Sequence, residues 1–311
     1  MDAAELRAAK EQLTAQYGPW SSNNYRLHDD IYTMAPRAFD LVERRVRRTL
    51  QIVSDHTFKP LDQLRILDLG SFEGGFAIEF AMHGAQVVAV EARESHVAKM
   101  RFAKDALRLA NLEVVHDDAR NLSRTTLGTF DVVLCLGLLY HLPADDLVPF
   151  MTSVASVCNR LTVVETQVSL YARQELRAGR ASYHGQRFPE EPVYPGAAVE
   201  SYDAFWLTKS SLLNLLSDVG FTSVSESLTP VVASLTEFID HVTLVGVKGE
   251  QTVFKSMPEL NDVPPQAWPE RGRRRAWPTQ SRRYGLAERL AARRGNSVFN
   301  VFRGKREHVP D

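Results

Sequence analysis

The chain has 311 residues, 44% hydrophobic and 24% charged, which are ordinary values for a globular protein with a sizeable core. The longest uncharged apolar run in the central region, residues 132–140, falls well short of the roughly 20 residues that a membrane-spanning helix needs, so we expect no span. The N-terminus lacks a cationic start and an apolar stretch, so we expect no secretory signal, and the only two cysteines predict buried free thiols of a reducing, cytoplasmic compartment.

Charge is divided unevenly along the chain. Residues 271–311 carry twelve basic side chains and three carboxylates, a net charge of +9, and the total of −1 therefore leaves −10 for residues 1–270. A basic tail that contains Trp277 can bind phosphate backbones, or it can pack on the acidic body. Nucleic acid is therefore allowed as a partner through the tail but is not favoured.

The first 59 residues predict a helical cap. Residues 1–20 indicate a short polar helix, and from residue 36 apolar side chains recur at helical spacing. The arginines of this second helix are expected on its solvated face; they are Arg44, Arg45, Arg47 and Arg48. The segment between the helices is either a surface loop or a fold-back over the ligand site. Its candidate substrate contacts are His28, Asp29 and Tyr32.

Residues 60–250 predict one α/β domain, because apolar runs typical of buried strands alternate with helical patterns. This alternation calls for a mostly parallel sheet with helices on both faces, here finished by an antiparallel pair. The predicted strands are 64–69, 86–90, 112–116, 130–136, 160–166, 222–228 and 241–248. The predicted helices are 74–83, 94–110, 144–157 and 208–219. Ligands of such sheets lie beyond the carboxyl ends of the strands.

The first of these strands leads into a turn with the sequence Asp68-Leu-Gly70-Ser-Phe72-Glu-Gly74. Glycine lets a ligand approach the backbone, and a helix start offers free N–H groups to an anionic group. Phe72 stands where the dinucleotide motif GxGxxG needs a glycine, so the spacing excludes that site. About 20 residues later the next strand ends in Glu91, a position where a carboxylate can accept both hydroxyls of a ribose.

The loops after the next two strands supply further candidates. Asp118 is favoured over Asp117 as an acceptor for an adenine amino group, and Ala119 leaves room for the ring. Either aspartate could instead cap a turn. The following strand ends in the sequence Leu136-Gly-Leu-Leu-Tyr-His141.

The spacing Asp68-x-Gly70-x-x-x-Gly74 resembles motif I of the class I S-adenosylmethionine (SAM) methyltransferases, and residues 130–143 resemble their motif IV. The motif IV ending is most similar to the branch that includes tRNA wobble-uridine carboxymethyl-transfer enzymes and natural-product and sugar O-methyltransferases. The resemblance covers about residues 60–250 and implies a Rossmann-like fold with SAM as cofactor, but it does not identify the methyl acceptor. The cofactor contacts it implies are Asp68, Gly70, Ser71, Phe72, Gly74, Glu91, Ala92, Asp118, Ala119, Leu136 and Gly137.

His141 is the first choice for a catalytic base. An alkyl hydroxyl is a poor nucleophile until its proton leaves, and a positioned base is worth about 100- to 10,000-fold. The alternative is a structural histidine bonded to a loop carbonyl. Glu165 ends the neighbouring strand, where it is expected to orient His141 or to grip an acceptor hydroxyl. No metal-ligand spacing stands out, so we predict no metal.

Residues 168–206 form an insertion that is too long for a plain connection. Its aromatic and basic side chains predict a substrate lid; the alternatives are an oligomer contact and a decorative subdomain. The candidate substrate contacts in the insertion are Tyr171, Tyr183 and His184, and a further one, Tyr140, follows the strand at 130–136.

Residues 251–311 are predicted to form a basic C-terminal extension with a short helix at 286–294. The predicted function is SAM-dependent O-methylation of a small molecule or glycan. One alternative is a tRNA-modifying methyl or carboxymethyl transferase that uses the tail, and another is a non-catalytic SAM-fold subunit that stabilises a partner. The sequence leaves the oligomeric state open, and a homo-oligomer is allowed.

Overall fold

The structure is a computed structural model that describes residues 2–22, 24–34, 41–190, 203–228 and 240–249, without the side chains of residues 41–44. All of these belong to one compact unit, which takes in residues 1–228 and 240–252. A second unit, residues 229–239 and 253–311, lies outside the described residues, and so does the helix predicted at 286–294.

Four elements precede the central sheet: α1 (Ala3–Tyr17), β1 (Arg26–His28), β2 (Ile31–Tyr32) and α2 (Leu41–Thr57). Helix α1 begins with a capping box, in which Asp2 accepts a backbone hydrogen bond from Glu5 and the Glu5 side chain accepts one from Asp2. The apolar face of α2 is buried at Val46, Leu50 and Val53, as its helical spacing predicts. Both predicted N-terminal helices are therefore present.

The prediction that the arginines of α2 lie on a solvated face is wrong for two of them. Arg45 Nε lies 2.8 Å from Glu165 Oε1, and Arg48 Nη2 donates a hydrogen bond to Ser227 Oγ at 2.7 Å. Arg47 is exposed, as predicted. Long arginine side chains can lie along a protein surface and place the guanidinium at a distant polar partner, which periodicity alone does not reveal.

The strands that follow are β3 (Arg65–Leu69), β4 (Gln86–Glu91), β5 (Leu112–His116), β6 (Phe130–Leu136), β7 (Cys158–Gln167), β8 (Gln174–Ala178), β9 (Ala181–Pro189), β10 (Asp203–Leu207), β11 (Ser223–Glu226) and β12 (His241–Val247). The helices between them are α3 (Gly75–Met82), α4 (Glu94–Leu107), α5 (Arg124–Leu127), α6 (Ala144–Val157) and α7 (Lys209–Asp218).

Seven strands form the central sheet in the order β11-β12-β7-β6-β3-β4-β5. Strands β3 to β7 run parallel, and β12 is antiparallel to both β7 and β11, so the predicted sheet is confirmed. Ile66 and Leu67 are both fully buried but belong to hydrophobic cores on opposite faces. A strand covered on both faces needs a continuous apolar run, which explains why the strands could be located from sequence.

Cys135 and Cys158 are free and buried, as predicted, and burial raises the pKa of each thiol to about 12. Within the described ranges, no helix combines the length and the apolar character needed to cross a membrane. The insertion contributes β8, β9 and β10, which form a separate three-stranded antiparallel sheet in the order β10-β9-β8.

Candidate active site

The carboxyl ends of the parallel strands bring the predicted cofactor residues to one edge of the sheet. Gly70 N donates to the Val90 carbonyl at 2.9 Å, which joins the glycine turn to the end of β4. Gly137 N likewise donates to the Glu165 carbonyl at 2.8 Å, which joins the end of β6 to β7. The turn after β3 and the ends of β4, β6 and β7 are thereby held together at one edge.

The glycine turn is constrained by its own packing. Gly70 and Gly74 have φ angles of +65° and +88°, in the left-handed region that favours glycine. A Cβ on Gly70 would lie 3.1 Å from Leu138 Cδ1, and one on Gly74 would lie 2.8 Å from Met100 Cγ. Leu138 belongs to the turn after β6, so a side chain at Gly70 would push against the segment that carries His141.

Glu73, inside the glycine turn, has a fully buried side chain that no sequence pattern singles out. It accepts hydrogen bonds from the backbone N–H groups of Ser21 and Ser22 at 3.0 and 3.1 Å, and Lys99 Nζ lies 3.0 Å from its carboxylate. A buried carboxylate needs such donors. The segment after α1 is therefore tied directly to the glycine turn, which agrees with the predicted fold-back.

Two carboxylates stand beside this turn. Asp68 is 1% exposed, and its Oδ2 has no hydrogen-bond partner among the described residues. Burial raises the pKa of Asp68 to about 7. Glu91 is also buried; it accepts from Phe72 N at 2.8 Å and from Arg93 N at 2.9 Å. An unpartnered buried carboxylate oxygen is rare in folded proteins and marks a place where a ligand cation or donor would be stabilised.

Replacing Asp68 with asparagine is expected to stabilise the ligand-free protein near neutral pH. The pKa of Asp68 is about 7 in the folded protein against 3.8 when unperturbed, so the folded state keeps a proton that the unfolded chain releases. The contribution of the Asp68 side chain to stability is therefore complete below about pH 4 and is lost as the pH rises through about 7. The free energy of unfolding falls over this range by on the order of 4 kcal/mol. The neutral amide of Asp68→Asn avoids this loss.

Urea denaturation should therefore show equal stability of the two proteins near about pH 4 and a growing advantage of Asp68→Asn towards about pH 8. Asp55→Asn, at an exposed position of α2, serves as the matched control and should show no such trend. Parallel stability curves for native protein and Asp68→Asn would contradict the buried titration.

Asp118 caps a turn, one of the two roles considered for it. Its Oδ1 accepts from Arg120 N at 2.8 Å, and its Oδ2 lies 2.6 Å from Arg120 Nη2. Burial alone would raise the pKa of Asp118, but the hydrogen bonds and charge of Arg120 outweigh it and hold the pKa below its usual value. Asp117 accepts from Asp118 N at 2.7 Å, so both aspartates structure the loop.

The other predicted cofactor residues lie along the same edge. Ser71 is buried and donates to the Asp68 carbonyl at 2.8 Å. Phe72 has a φ of +53°, and its ring centroid lies 4.1 Å from that of His96. Ala119 and Leu136 are buried, and the carbonyl of Ala92 lies 3.0 Å from His116 Nε2.

His141 lies on the short helical turn Leu139–His141 that follows β6 directly. Its Nδ1 is 2.6 Å from Glu190 Oε1, and the two side chains are only 11% and 4% exposed. Tyr140 packs beside it, with ring centroids 4.1 Å apart. Glu190 could not be identified from sequence, because no motif or spacing joins it to His141 across 49 residues.

Glu165 does not orient His141, contrary to one of its two predicted roles. Its carboxylate lies 2.8 Å from Arg45 Nε and 3.2 Å from His241 Nε2, at the junction of α2, β7 and β12. Burial lowers the pKa of His241, and the neighbouring Glu165 only partly opposes this. Glu165 and Arg45 therefore form a separate polar cluster at the same edge of the sheet.

The predicted substrate contacts are dispersed. Tyr183 is buried, and its hydroxyl donates to Asp218 at 2.8 Å, so it serves the packing of the insertion on α7. His184 is exposed on β9, and Tyr171 is half-buried beneath the guanidinium of Arg173. Side chains of a strand alternate between its two faces, so a strand prediction for this segment could have identified Tyr183 as a core residue from sequence.

The N-terminal candidates lie in or beside the β1–β2 hairpin. His28 and Asp29 are exposed, and Arg26 Nη2 lies 3.5 Å from Asp29 Oδ1. The Tyr32 carbonyl accepts a hydrogen bond from Lys10 Nζ. The contacts described for these three residues are all within the N-terminal cap. In the part of the chain that is described, no three His, Cys, Asp or Glu side chains are grouped so as to hold a metal ion.

Comparisons with known proteins agree on the fold of this region. A family model described as a methyltransferase domain matches residues 66–160. The N-terminal domain of EvdMO1, crystallised in the presence of SAH and D-fucose, is 24% identical over 80% of this chain and 98% of that domain, with a TM-score of 0.62. A crystal structure of EvdMO1 itself is 22% identical over 80% of this chain and 48% of that one, with a TM-score of 0.53.

Magnesium protoporphyrin IX methyltransferase from Synechocystis PCC 6803, crystallised with bound SAM, is 18% identical over 69% of this chain and 87% of that one, with a TM-score of 0.47. The search of curated proteins found no match. The region matched by the family model extends from β3 into β7 and therefore contains the glycine turn, Glu91, Asp118 and His141.

Proposed function

We propose that this chain, a class I SAM-dependent methyltransferase, transfers the methyl group to a hydroxyl of a small molecule or a glycan. The observation that carries the proposal is the position of His141, a largely buried imidazole on the turn directly after β6, with one ring nitrogen bonded to a carboxylate. A hydroxyl acceptor requires a base in this region, and histidine is the side chain that most often serves as a general base.

The residues at the strand ends fit SAM. The unpartnered Oδ2 of Asp68 would hold the cationic amino group of the methionine part. Glu91 would hold the ribose hydroxyls, because each carboxylate oxygen has a second lone pair beyond the one used by the backbone. Asp118 and Ala119 would line the adenine. A Cβ added to Gly137, whose φ is +85°, would lie 3.8 Å from its nearest described neighbour, an ordinary van der Waals distance that leaves space at the end of β6.

Arg45 is a further candidate for the cofactor site. Its guanidinium lies 5.6 Å from the ring centroid of Phe76, in the first turn of α3. Helix N-termini and guanidinium groups both attract anions, so Arg45 would hold the carboxylate of the methionine part. Glu165 binds Arg45 through Nε and would keep it in this orientation.

When bound, SAM supplies a methyl group on a positively charged sulfur that leaves as a neutral thioether. His141 then has one task, to accept the proton of the acceptor hydroxyl as the oxygen forms its bond to the methyl carbon, and to release that proton to solvent afterwards. A positioned base contributes about 100- to 10,000-fold. The remaining side chains align the two reactants, which is the larger part of the work in such a displacement.

The acceptor would lie beside His141 and next to the insertion. Tyr140 lies beside His141, and Tyr171 and His184 add aromatic and polar groups on the insertion. Aromatic faces and hydrogen-bonding side chains of this kind suit a ring that carries hydroxyl groups. D-fucose, the sugar present with the similar EvdMO1 domain, is therefore a suitable first probe.

The test is transfer of an isotopically labelled methyl group from SAM to a panel of acceptors: D-fucose and other glycosides, phenols, amines and bulk tRNA. Label recovered on an oxygen of a hydroxyl compound, identified by NMR, is the expected result. Label found only on amines would contradict the proposal. Transfer only to tRNA, with activity that falls steeply as salt rises, would instead support the tRNA-modifying alternative.

A further inference from the structure

The three-stranded sheet of the insertion is attached to the turn that carries His141 at three successive residues, 140–142. The contacts are Trp206 Nε1 to the Tyr140 carbonyl at 3.0 Å, His141 Nδ1 to Glu190 Oε1 at 2.6 Å, and Phe205 N to the Leu142 carbonyl at 2.9 Å. Each contact comes from β10 or from the residue directly after β9. The insertion therefore holds both the backbone and the side chain of this turn.

The sheet that provides these contacts is itself well packed. Strands β9 and β10 pair in register up to Pro189 opposite Asp203, so Glu190 follows a paired strand end. The Phe188 and Trp206 rings stack with centroids 4.0 Å apart and planes 11° from parallel. Functional side chains carried on paired strands are held more precisely than those on free loops.

We propose that Glu190 is a positioning residue that fixes the tautomer and the orientation of His141, an inference that rests on the proposed function of His141 as base. A carboxylate can only accept hydrogen bonds, so its partner nitrogen Nδ1 carries the proton in the neutral imidazole. Nε2 then holds the lone pair and is the atom that accepts the proton of the acceptor hydroxyl. The role expected of Glu165 is thus performed by a residue of the insertion.

Burial strengthens this arrangement. Both side chains are almost fully shielded from water. In such a buried environment a hydrogen bond is electrostatically stronger, and a polar group without a partner is costly. The Glu165 carboxylate is engaged by Arg45 and His241. The attachment at three successive residues favours a fixed support for the catalytic turn over a lid that opens.

The first test is kinetic. Glu190→Gln replaces the carboxylate by an amide. The NH₂ group of the amide can donate a hydrogen bond to Nδ1 and so place the ring proton on Nε2. Turnover is expected to fall by about 10- to 100-fold, while the dissociation constant of SAM changes less than about twofold. Glu190→Asp should recover part of the loss. Glu175→Gln, the same substitution on β8 of the same sheet, is the matched control and should leave turnover unchanged.

A double variant separates positioning from general stability. If Glu190 acts through His141, then His141→Ala combined with Glu190→Gln should be no slower than His141→Ala alone. A double variant whose loss of turnover equals the product of the two single losses would overturn the inference.

NMR of ¹⁵N-labelled histidine gives a readout that does not depend on turnover. The His141 signals, assigned by their absence in His141→Ala, should show a protonated Nδ1 and an unprotonated Nε2 at about pH 9, and this pattern should change in Glu190→Gln. A protonated Nε2 in the native protein would overturn the inference. Native protein that shows the expected tautomer but methylates no hydroxyl would refute the proposed function alone.

Discussion

His141→Ala is expected to lower turnover at least about 100-fold while SAM affinity stays nearly unchanged. The side chain lies on the turn after β6, and its contacts are with Glu190 and Tyr140 rather than with the glycine turn or Glu91. Removing it therefore takes away the base without touching the proposed cofactor contacts. Single-turnover methylation of the best acceptor and calorimetric titration with SAM measure the two effects separately.

His83→Ala provides the matched control for this prediction. His83 is half-exposed at the end of α3, where its Nε2 lies 3.4 Å from Glu79 Oε1, and α3 runs away from the edge that holds the candidate site. Its removal should change neither turnover nor SAM affinity. Added imidazole should restore part of the activity of His141→Ala and leave the activity of His83→Ala unchanged. Full activity of His141→Ala would remove the base assignment.

The central sheet could be predicted from sequence because its parallel strands are buried on both faces. β5 and β6 match their predicted bounds, and β3 begins one residue later than predicted. Ile66, Leu67 and Leu69 are apolar for a reason that acts locally, since both faces of a parallel strand must be covered. The positions of Gly70, Glu91 and Gly137 at one edge then follow from the parallel order.

The partners of the site residues could not be predicted, because they depend on contacts between distant parts of the chain. Glu190 meets His141 only because β9 and β10 pair and attach to the turn after β6. Arg45 meets Glu165 across 120 residues, from a helix whose arginine-rich face has the pattern of a solvated surface. Helical spacing predicts which side of a helix is apolar, but not which polar side chain will reach a buried carboxylate.

Glu73 illustrates a further limit. A glutamate next to Gly74 in a glycine turn has the composition of an exposed turn, yet its side chain is fully buried and is held by Lys99 and by the backbone N–H groups of Ser21 and Ser22. Its burial depends on the path of the segment after α1, which carries no periodic pattern. The sequence could therefore place the glycine turn but not the groups that support it.

Gly70→Val is expected to abolish SAM binding, as measured by calorimetry. A non-glycine residue in the left-handed region costs about 1–2 kcal/mol, and a β-branched side chain is disfavoured further. The new Cβ would also lie 3.1 Å from Leu138 Cδ1, and the two methyl groups of valine add bulk beyond it, so the Leu138 side chain or the glycine turn must shift. This shift falls among the groups proposed to surround the methionine part, from Asp68 to Gly137.

Gly179→Val isolates the backbone effect. Gly179 has a φ of +61°, close to the +65° of Gly70, but a Cβ there would meet no atom of the described residues within 4 Å. This control should lose a similar amount of stability through strain and still bind SAM normally. If Gly70→Val fails to fold, Gly70→Ala keeps the contact with Leu138 at lower strain and is expected to weaken SAM binding clearly more than Gly179→Ala. Unchanged SAM affinity in a folded Gly70→Val would refute the placement of the cofactor at this turn.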